Sequence, residues 1–171
     1  EVWVGDVGWN IWEEVNRVVS PTDGIIENFG WPCYEGAGRQ SGYDGANLSI
    51  CESLYVGSSF GAITAPFYTY SHSAKVVTNE TCPTGSSAIA GLAFYGGGAY
   101  PAQYQGALFF ADYNRDCIWA MLPDGTGVPD PNNRQTFVAA ASNPVQLTIG
   151  PGGDLFYVDL DGGRIMRVQF K

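Results

Sequence analysis

Short runs of alternating hydrophobic and polar residues recur along this chain, and glycine, proline, asparagine or serine bounds each run. Runs of this kind, rich in aromatic and β-branched residues, are typical of half-buried β-strands. They occupy residues 62–70, 87–95, 135–140 and 145–150. No capped stretch keeps a helical period for more than one or two turns. The pattern therefore predicts an all-β protein.

The chain also repeats itself at an offset of 47 residues. Residues 106–112 align with residues 153–159, and in both copies a short apolar strand ends in an aspartate before a tight turn. A second strand of alternating apolar residues follows each turn, which is typical of a β-hairpin. A third copy, one residue longer across its turn, opens the chain. Hairpins are therefore expected near residues 2–18, 106–122 and 153–170.

A repeat of 47 residues with about four strands has the length of a β-propeller blade. The chain then forms one domain, residues 1–171, of about three four-stranded blades. A β-sandwich is the alternative, but sandwiches do not repeat one hairpin with the same terminal aspartate. Because a partial ring leaves unpaired strand edges, we expect the chain to be the C-terminal half of a longer propeller. A second copy that closes the ring is a further alternative, which makes the protein a homo-oligomer.

Composition excludes two classes of partner. Charged residues make up only 15% of the 171 residues, and the formal net charge is -9. A chain of this charge repels a phosphate backbone, so nucleic acid is not expected as a partner. The longest apolar run, residues 88–95, falls far short of the roughly 20 residues that a transmembrane helix needs. No transmembrane segment is expected.

Several features favour an exported protein, either extracellular or periplasmic. The chain is poor in lysine, has an even number of cysteines, and contains glycosylation-type triplets that begin at Asn47 and Asn79. Disulfides form and persist in the oxidising compartments that exported proteins reach. The sequence therefore predicts a secreted or periplasmic location.

The four cysteines favour two disulfides over free thiols or a metal. Their spacing lacks the paired Cys-x-x-Cys of a structural zinc site, and the chain has one histidine. We prefer the pairs Cys33 with Cys51 and Cys82 with Cys117, although four cysteines allow three connectivities. Residues 19–63 then form a long inter-strand loop that the first pair restrains.

Two blocks near the N-terminus resemble a known family. VGDVGWNIWEEVN at residues 4–16, followed by NFGWPCYEG at residues 28–36, is similar to the glucose/sorbosone dehydrogenase family. Members are six-bladed propellers that use pyrroloquinoline quinone (PQQ), and the match corresponds to their C-terminal half. The resemblance implies a PQQ- and calcium-dependent sugar dehydrogenase whose partners are a sugar substrate or glycan and the missing N-terminal half. Weaker similarity covers residues 66–72, 86–91, 104–112 and 150–157.

The same resemblance implies a calcium site. In quinoprotein members two main-chain carbonyls, which fall here on Gly8 and Trp9, bind the calcium ion that holds the quinone. A hard cation prefers oxygen ligands, and Asp6, Glu13 and Glu14 add carboxylates nearby. The alternative is that Gly8 only permits the turn and that the two glutamates form a solvated strand end.

The quinone carries carboxylates and therefore needs cationic partners. The family's lysine, in the turn after a strand like residues 108–112, falls here on Arg115. The guanidinium of Arg115 could donate a bidentate pair of hydrogen bonds to a carboxylate of the quinone. The alternative is that Arg115 is an ordinary solvated turn residue. Two arginines that the family carries before its last blade are replaced here by the uncharged residues 143–146. Each lost charge-assisted contact would weaken cofactor binding by roughly 1.5 to 3 kcal/mol.

No catalytic residue is assigned in this chain. In the family a histidine acts as general base, and it lies upstream of every matched block. His72, the single histidine, does not match that position, so we expect a loop or hydrogen-bonding role for it. These departures keep a second hypothesis open, namely a catalytically inactive extracellular propeller that binds carbohydrate or protein.

Overall fold

The computed structural model describes residues 1–57 and 63–170. Antiparallel strand pairs dominate it, which confirms the all-β class. No helix in the described part of the chain has the length and hydrophobicity that crossing a bilayer requires. The strands and α-helices are β1 (Val2–Val7), β2 (Trp12–Val18), β3 (Tyr34–Glu35), β4 (Gly38–Arg39), α1 (Ser41–Gly45), α2 (Ser49–Tyr55), β5 (Tyr68–Ser71), β6 (Ile89–Phe94), β7 (Leu108–Asp112), β8 (Cys117–Pro123), β9 (Pro129–Val138), β10 (Pro144–Ile149), β11 (Leu155–Asp159) and β12 (Arg164–Val168).

The chain divides into two compact units, Glu1–Tyr70 and Ser71–Lys171. In the first unit, β1 and β2 form the predicted N-terminal hairpin, in which Asp6 lies opposite Glu14. Strand β5 pairs with β2 to give a three-stranded sheet in the order β1-β2-β5. The sequence predicted this third strand from residue 62. Ala62 lies outside the described residues, and the strand begins only after Pro66, which has no N–H for a sheet.

The segment predicted as one long loop, residues 19–63, contains short elements of its own. Strands β3 and β4 form a small hairpin, and helices α1 and α2 follow with 5 and 7 residues. The sequence contains no long amphipathic run here, so helices this short depend on tertiary support. The side chain of Gln40 caps α1, and the Cys33–Cys51 disulfide attaches α2 to the loop before β3.

The second unit contains both of the other predicted hairpins. Strands β7 and β8 pair within a four-stranded sheet, β6-β7-β8-β9, and β11 and β12 pair within a three-stranded sheet, β10-β11-β12. The predicted strands at residues 87–95 and 145–150 correspond to β6 and β10. Strand β9 begins at Pro129, earlier than the sequence predicted.

The core of the second unit surrounds β7 and β8, whose residues are buried on both faces of the sheet. Burial of one large apolar side chain stabilises a fold by about 1.5–3 kcal/mol, so this run dominates the packing. The Tyr100 hydroxyl donates to the Val168 carbonyl at 2.8 Å and accepts from the Leu155 amide at 2.6 Å, which joins the end of β12 to the core. The core cluster comprises Tyr95, Tyr100, Tyr104, Ala107, Phe109, Ala111, Ile118, Ala120, Leu122, Ala141, Leu147, Leu155 and Tyr157.

Both preferred disulfides are confirmed, and all four cysteines are paired. The Cys82–Cys117 bridge joins residues 35 apart, and a bridge of this kind typically stabilises a fold by about 2–4 kcal/mol. The asparagines of both glycosylation-type triplets, Asn47 and Asn79, are exposed. These features are consistent with an exported protein.

The repeated aspartates have the same task in the two matched hairpins. Asp112 ends β7 and accepts a hydrogen bond from the amide of Arg115, at 3.0 Å, within the turn that follows. Asp159 ends β11 and accepts from the amide of Gly162 at 2.7 Å. Both carboxylates are buried and satisfy a turn N–H that would otherwise lack a partner. The sequence repeat is thus a repeat of turn chemistry.

Candidate functional site

The turn between β1 and β2, from Gly8 to Trp12, encloses one carboxylate oxygen. Oε1 of Glu35 accepts hydrogen bonds from the amides of Asn10, Ile11 and Trp12, at 3.0, 2.6 and 2.9 Å. Gly8 allows the close approach, because a Cβ there would lie 1.7 Å from the Trp12 carbonyl oxygen and 2.6 Å from Glu35 Oε1. The turn is therefore tightly organised around a residue that lies more than 20 positions away.

The direction of these amides decides where the turn carbonyls point. In a planar trans peptide the C=O lies opposite the N–H of the next residue. Because the Asn10 and Ile11 amides point at Glu35, the carbonyls of Trp9 and Asn10 point away from it. Trp9, Asn10 and Ile11 are exposed, so the outer side of the turn presents carbonyl oxygens that can act as metal ligands.

The glutamates at the start of β2 are buried, which corrects the alternative of a solvated strand end. Glu13 and Glu14 are 0% and 5% exposed. Glu14 accepts hydrogen bonds from the Gly36 amide at 2.6 Å and from Asn16 Nδ2 at 3.1 Å. The loop of residues 19–57 brings its own polar groups to this strand, and the strand sequence alone does not show that burial.

Negative charge is concentrated beside the turn. Burial raises the pKa of Glu14 above its usual 4.5, and the nearby Asp6 and Glu35 carboxylates raise it further, whereas the hydrogen bonds from Gly36 and Asn16 lower it. Burial also raises the pKa of Asp6. Both shifts have the direction expected for a carboxyl that is removed from water, and neighbouring carboxylates add to the shift of Glu14.

We expect the stability of the chain to fall as pH rises past 4.5 toward the raised pKa of Glu14. In that range the folded chain binds more protons at this carboxyl than the unfolded chain does. The contribution is therefore complete below the usual pKa and is lost as pH rises through the folded pKa. Urea unfolding of Glu14→Gln should show a flatter dependence over this range, while Asp161→Asn, at an exposed carboxyl, should follow the wild type. An unchanged slope in Glu14→Gln contradicts the assignment.

The region suits a hard cation in part. Within the described ranges, no group of three or more His, Cys, Asp or Glu side chains is arranged to hold a metal, so main-chain oxygens would have to contribute. Oε2 of Glu35 and Oδ1 of Asn16 are buried and make no hydrogen bond among the described residues. An ion at the outward-facing Trp9 carbonyl would lie on the other side of the turn from Glu35, so this carboxylate would favour it only at longer range. The calcium role of Gly8 and Trp9 stays a prediction.

Glu35 is the residue of this region that sequence reasoning missed. It lies in the second block of the family resemblance, but no local pattern shows that its side chain reaches the first block. Its neighbour Gly36 also contacts β2, through the Glu14 carboxylate. The only sequence signal for this contact was that residues 4–16 and residues 28–36 both belong to the family resemblance.

Arg115, the predicted quinone contact, is fully buried. Its guanidinium donates to Ser87 Oγ at 2.6 Å and to the carbonyls of Ala74 and Ser71 at 2.8 and 2.5 Å. Asp112 lies 3.9 Å from its Nε. The arginine is therefore not a solvated turn residue. Its cofactor role stays a prediction, and a carboxylate could reach it only by displacing these partners.

The other basic side chains in the described residues are also engaged. Every one already has an acceptor in the chain that a carboxylate of PQQ would have to displace, so no contact to the quinone is assigned to them. Lys171 lies outside the described residues. The pairs are Arg17 with Glu1, Arg39 with Asp44, Lys75 with the Cys82 carbonyl, Arg134 with the Val76 carbonyl, Arg164 with Asp159, and Arg167 with Asp154.

His72 lies in the turn after β5 and is half-buried. Its carbonyl accepts a hydrogen bond from the Gly85 amide at 2.6 Å. This contact is consistent with the loop role that the sequence predicted.

No protein-family model and no curated protein matches this sequence. Solved structures do match it, and they define a class: the chain has the fold of part of a β-propeller dehydrogenase, which confirms the predicted fold class. The structure resembles the PQQ-bound form of aldose sugar dehydrogenase from Streptomyces coelicolor, with a TM-score of 0.56 and 18% identity. It also resembles a glucose dehydrogenase, with a TM-score of 0.65 and 18% identity.

These matches cover 98% and 99% of this chain but only 39% and 41% of the two matched chains. The chain therefore spans about two fifths of their length. At this level of identity the likeness concerns the fold. The resemblance to PQQ-dependent sugar dehydrogenases that the sequence predicted is confirmed at that level.

Proposed function

We propose that this chain is the C-terminal part of an exported, PQQ- and calcium-dependent dehydrogenase of aldoses or related sugars. One observation carries the proposal, together with the likeness to sugar dehydrogenase folds. Glu35 accepts three consecutive amides of the turn that follows Gly8, which leaves the Trp9 carbonyl on the exposed outer side, where it can bind a calcium ion.

In this proposal the chain contributes the cation site and the frame that positions it. The carbonyls of Gly8 and Trp9 bind the ion, and Glu35 keeps the turn in one conformation by accepting three amides. The general base and the cationic contacts to the quinone come from the N-terminal half, which is the chain's first partner. The sugar substrate is the second.

A second candidate is a propeller of the same fold without quinone chemistry, which binds carbohydrate or protein outside the cell. The full engagement of Arg115 inside the second unit favours it, since the family's cofactor cation occupies that place in the sequence. The two candidates differ in whether the complete protein binds PQQ.

Reconstitution of the complete protein with PQQ and calcium tests the proposal. We expect dye reduction by aldoses that requires both additions, and a higher melting temperature, because a ligand at 100 times its Kd stabilises the folded state by about 2.7 kcal/mol. Magnesium in place of calcium is the control. Absence of both the activity and the thermal shift would favour the second candidate.

A further inference from the structure

Two exposed tryptophans and a half-buried tyrosine form a cluster in the first unit, which we call the aromatic platform: Trp9, Trp31 and Tyr43. The ring centroid of Tyr43 lies 5.4 Å from that of Trp9 and 5.8 Å from that of Trp31. The two tryptophans are 58% and 51% exposed. Contiguous exposed aromatic area of this kind marks a binding surface more often than a scattered exposed side chain does.

The Trp9 side of the platform is held in place by its neighbours. The amide of Asn10, the next residue, donates to Glu35, which fixes the turn that carries the indole. Gly42 leaves room for the ring, because a Cβ there would lie only 3.2 Å from Trp9 Cζ3. A larger residue at position 42 would push the indole away from Tyr43.

Tyr43 is fixed by a buried amide. Gln40 is 1% exposed, and its Oε1 accepts from the amides of Gly42 and Tyr43 at 2.7 and 3.0 Å, which caps α1. Its Nε2 lies 3.4 Å from Asn10 Oδ1 and donates to it. One side chain therefore connects the helix that carries Tyr43 to the turn that carries Trp9.

Trp31 is held by the loop before β3. The amide of Cys33 donates to the Gly30 carbonyl at 2.8 Å, and the Cys33–Cys51 disulfide anchors the loop to α2. The platform is thus built before any ligand arrives, which lowers the entropy cost of binding. Trp31 also borders a cleft of about 120 Å³ whose lining residues are Asn28, Trp31, Pro32, Cys33, Ile50 and Leu54.

The chemistry of the surface selects the ligand. The negative faces of aromatic rings attract the weakly positive C–H groups of a sugar ring. Asn10 is exposed, and its side-chain Nδ2 can donate to a sugar hydroxyl next to Trp9. Arg39, the basic side chain nearest in sequence to Tyr43, is paired with Asp44 at 3.2 Å, and the chain carries a net charge of -9. An anionic ligand is therefore disfavoured and a neutral one favoured.

We propose that the aromatic platform binds a neutral oligosaccharide, with successive sugar rings against Trp9 and Trp31. The choice of a sugar as ligand rests on the proposed function. Trp9 also supplies one of the predicted calcium-binding carbonyls, so the platform and the predicted cation site share this residue. The platform deepens the proposal by making the substrate a chain of sugars rather than a free monosaccharide.

The test is a binding measurement on the complete protein without PQQ or calcium. Calorimetric titrations with glucose and with neutral gluco-oligosaccharides of two to six units should show affinity that rises with length. Trp9→Ala and Trp31→Ala should each weaken oligosaccharide binding at least tenfold, and Trp31→Phe by less. Trp3→Phe, in the same unit but outside the platform, is the matched control and should bind as the wild type.

The outcomes separate this proposal from the dehydrogenase itself. In one outcome, oligosaccharide affinity rises with length, the platform variants lose it, and the complete protein has no quinone-dependent activity. That outcome supports the platform and counts against the dehydrogenase. Wild-type affinity in both alanine variants that still fold, shown by an unchanged urea midpoint, overturns the platform even if glucose is oxidised. A third outcome also overturns the platform proposal: the wild type is a dimer, Trp31→Ala is a monomer, and neither binds a saccharide. The aromatic surface would then be the contact with a second copy of the chain.

Discussion

Replacement of Arg115 by methionine should lower the free energy of unfolding by about 3–5 kcal/mol. The guanidinium is fully buried and donates to one hydroxyl and two backbone carbonyls in the second unit. Methionine fills similar volume but leaves these acceptors without donors. It also leaves the buried carboxylate of Asp112 without the positive charge that lies 3.9 Å from it.

Urea unfolding of the two proteins measures this effect, and the chain offers a matched control. Arg164 also faces an aspartate, Asp159, at 3.6 Å, but its own side chain is 69% exposed. Arg164→Met should therefore change stability by less than about 1 kcal/mol. Equal effects of the two substitutions would contradict the structural role of Arg115.

The same variant separates the two readings of Arg115. If the arginine served the quinone, Arg115→Met would keep the wild-type urea midpoint and lose only cofactor affinity. We expect instead that Arg115→Met lowers the urea midpoint, because the guanidinium is a structural group. A stable Arg115→Met protein that no longer binds PQQ would restore the cofactor role that the family resemblance implied.

Removal of the Glu35 side chain should have the second largest effect. Its Oε1 accepts three consecutive turn amides, and a hydrogen bond to a charged group contributes about 1.5–3 kcal/mol. Asn10 and Ile11 are exposed, so water replaces part of what is lost. We expect Glu35→Ala to lower the free energy of unfolding by about 2–4 kcal/mol.

Glu35→Gln is the matched control, because it keeps the Oε1 acceptor and removes only the charge. It should retain most of the stability, as measured by urea unfolding beside the alanine variant. If calcium binds at the turn, the stabilisation that calcium adds to the complete protein should shrink in Glu35→Gln. Equal loss of stability in both variants would show that the charge, rather than the three hydrogen bonds, holds the turn.

Local patterns predicted the elements well because hairpin formation is local. The period-2 alternation and the turn residues place β7, β8, β11 and β12, and the terminal aspartates satisfy turn amides only three residues away. The 47-residue repeat was visible because the same short-range turn chemistry recurs in the two matched copies. The cysteine pairs were preferred correctly, although sequence spacing left other connectivities open.

The third copy shows where local patterns end. Its turn is one residue longer, and its amides are satisfied by Glu35 from a distant loop rather than by an aspartate at the strand end. The short helices in that loop were not predicted either, since they depend on the Gln40 cap and a disulfide. Both are contacts between residues that no periodicity connects.

The sequence by itself determined the strand content, the three hairpins and the resemblance to sugar dehydrogenase propellers, because these depend on side-chain alternation and on turns of a few residues. Only the tertiary structure decided that Arg115 and Glu14 are buried, that Glu35 holds the N-terminal turn, and that three distant aromatic rings meet. Burial and charge pairing depend on which segments pack together. The residue type sets which interactions a side chain is able to make, and the neighbouring residues in the folded chain determine which of these interactions form.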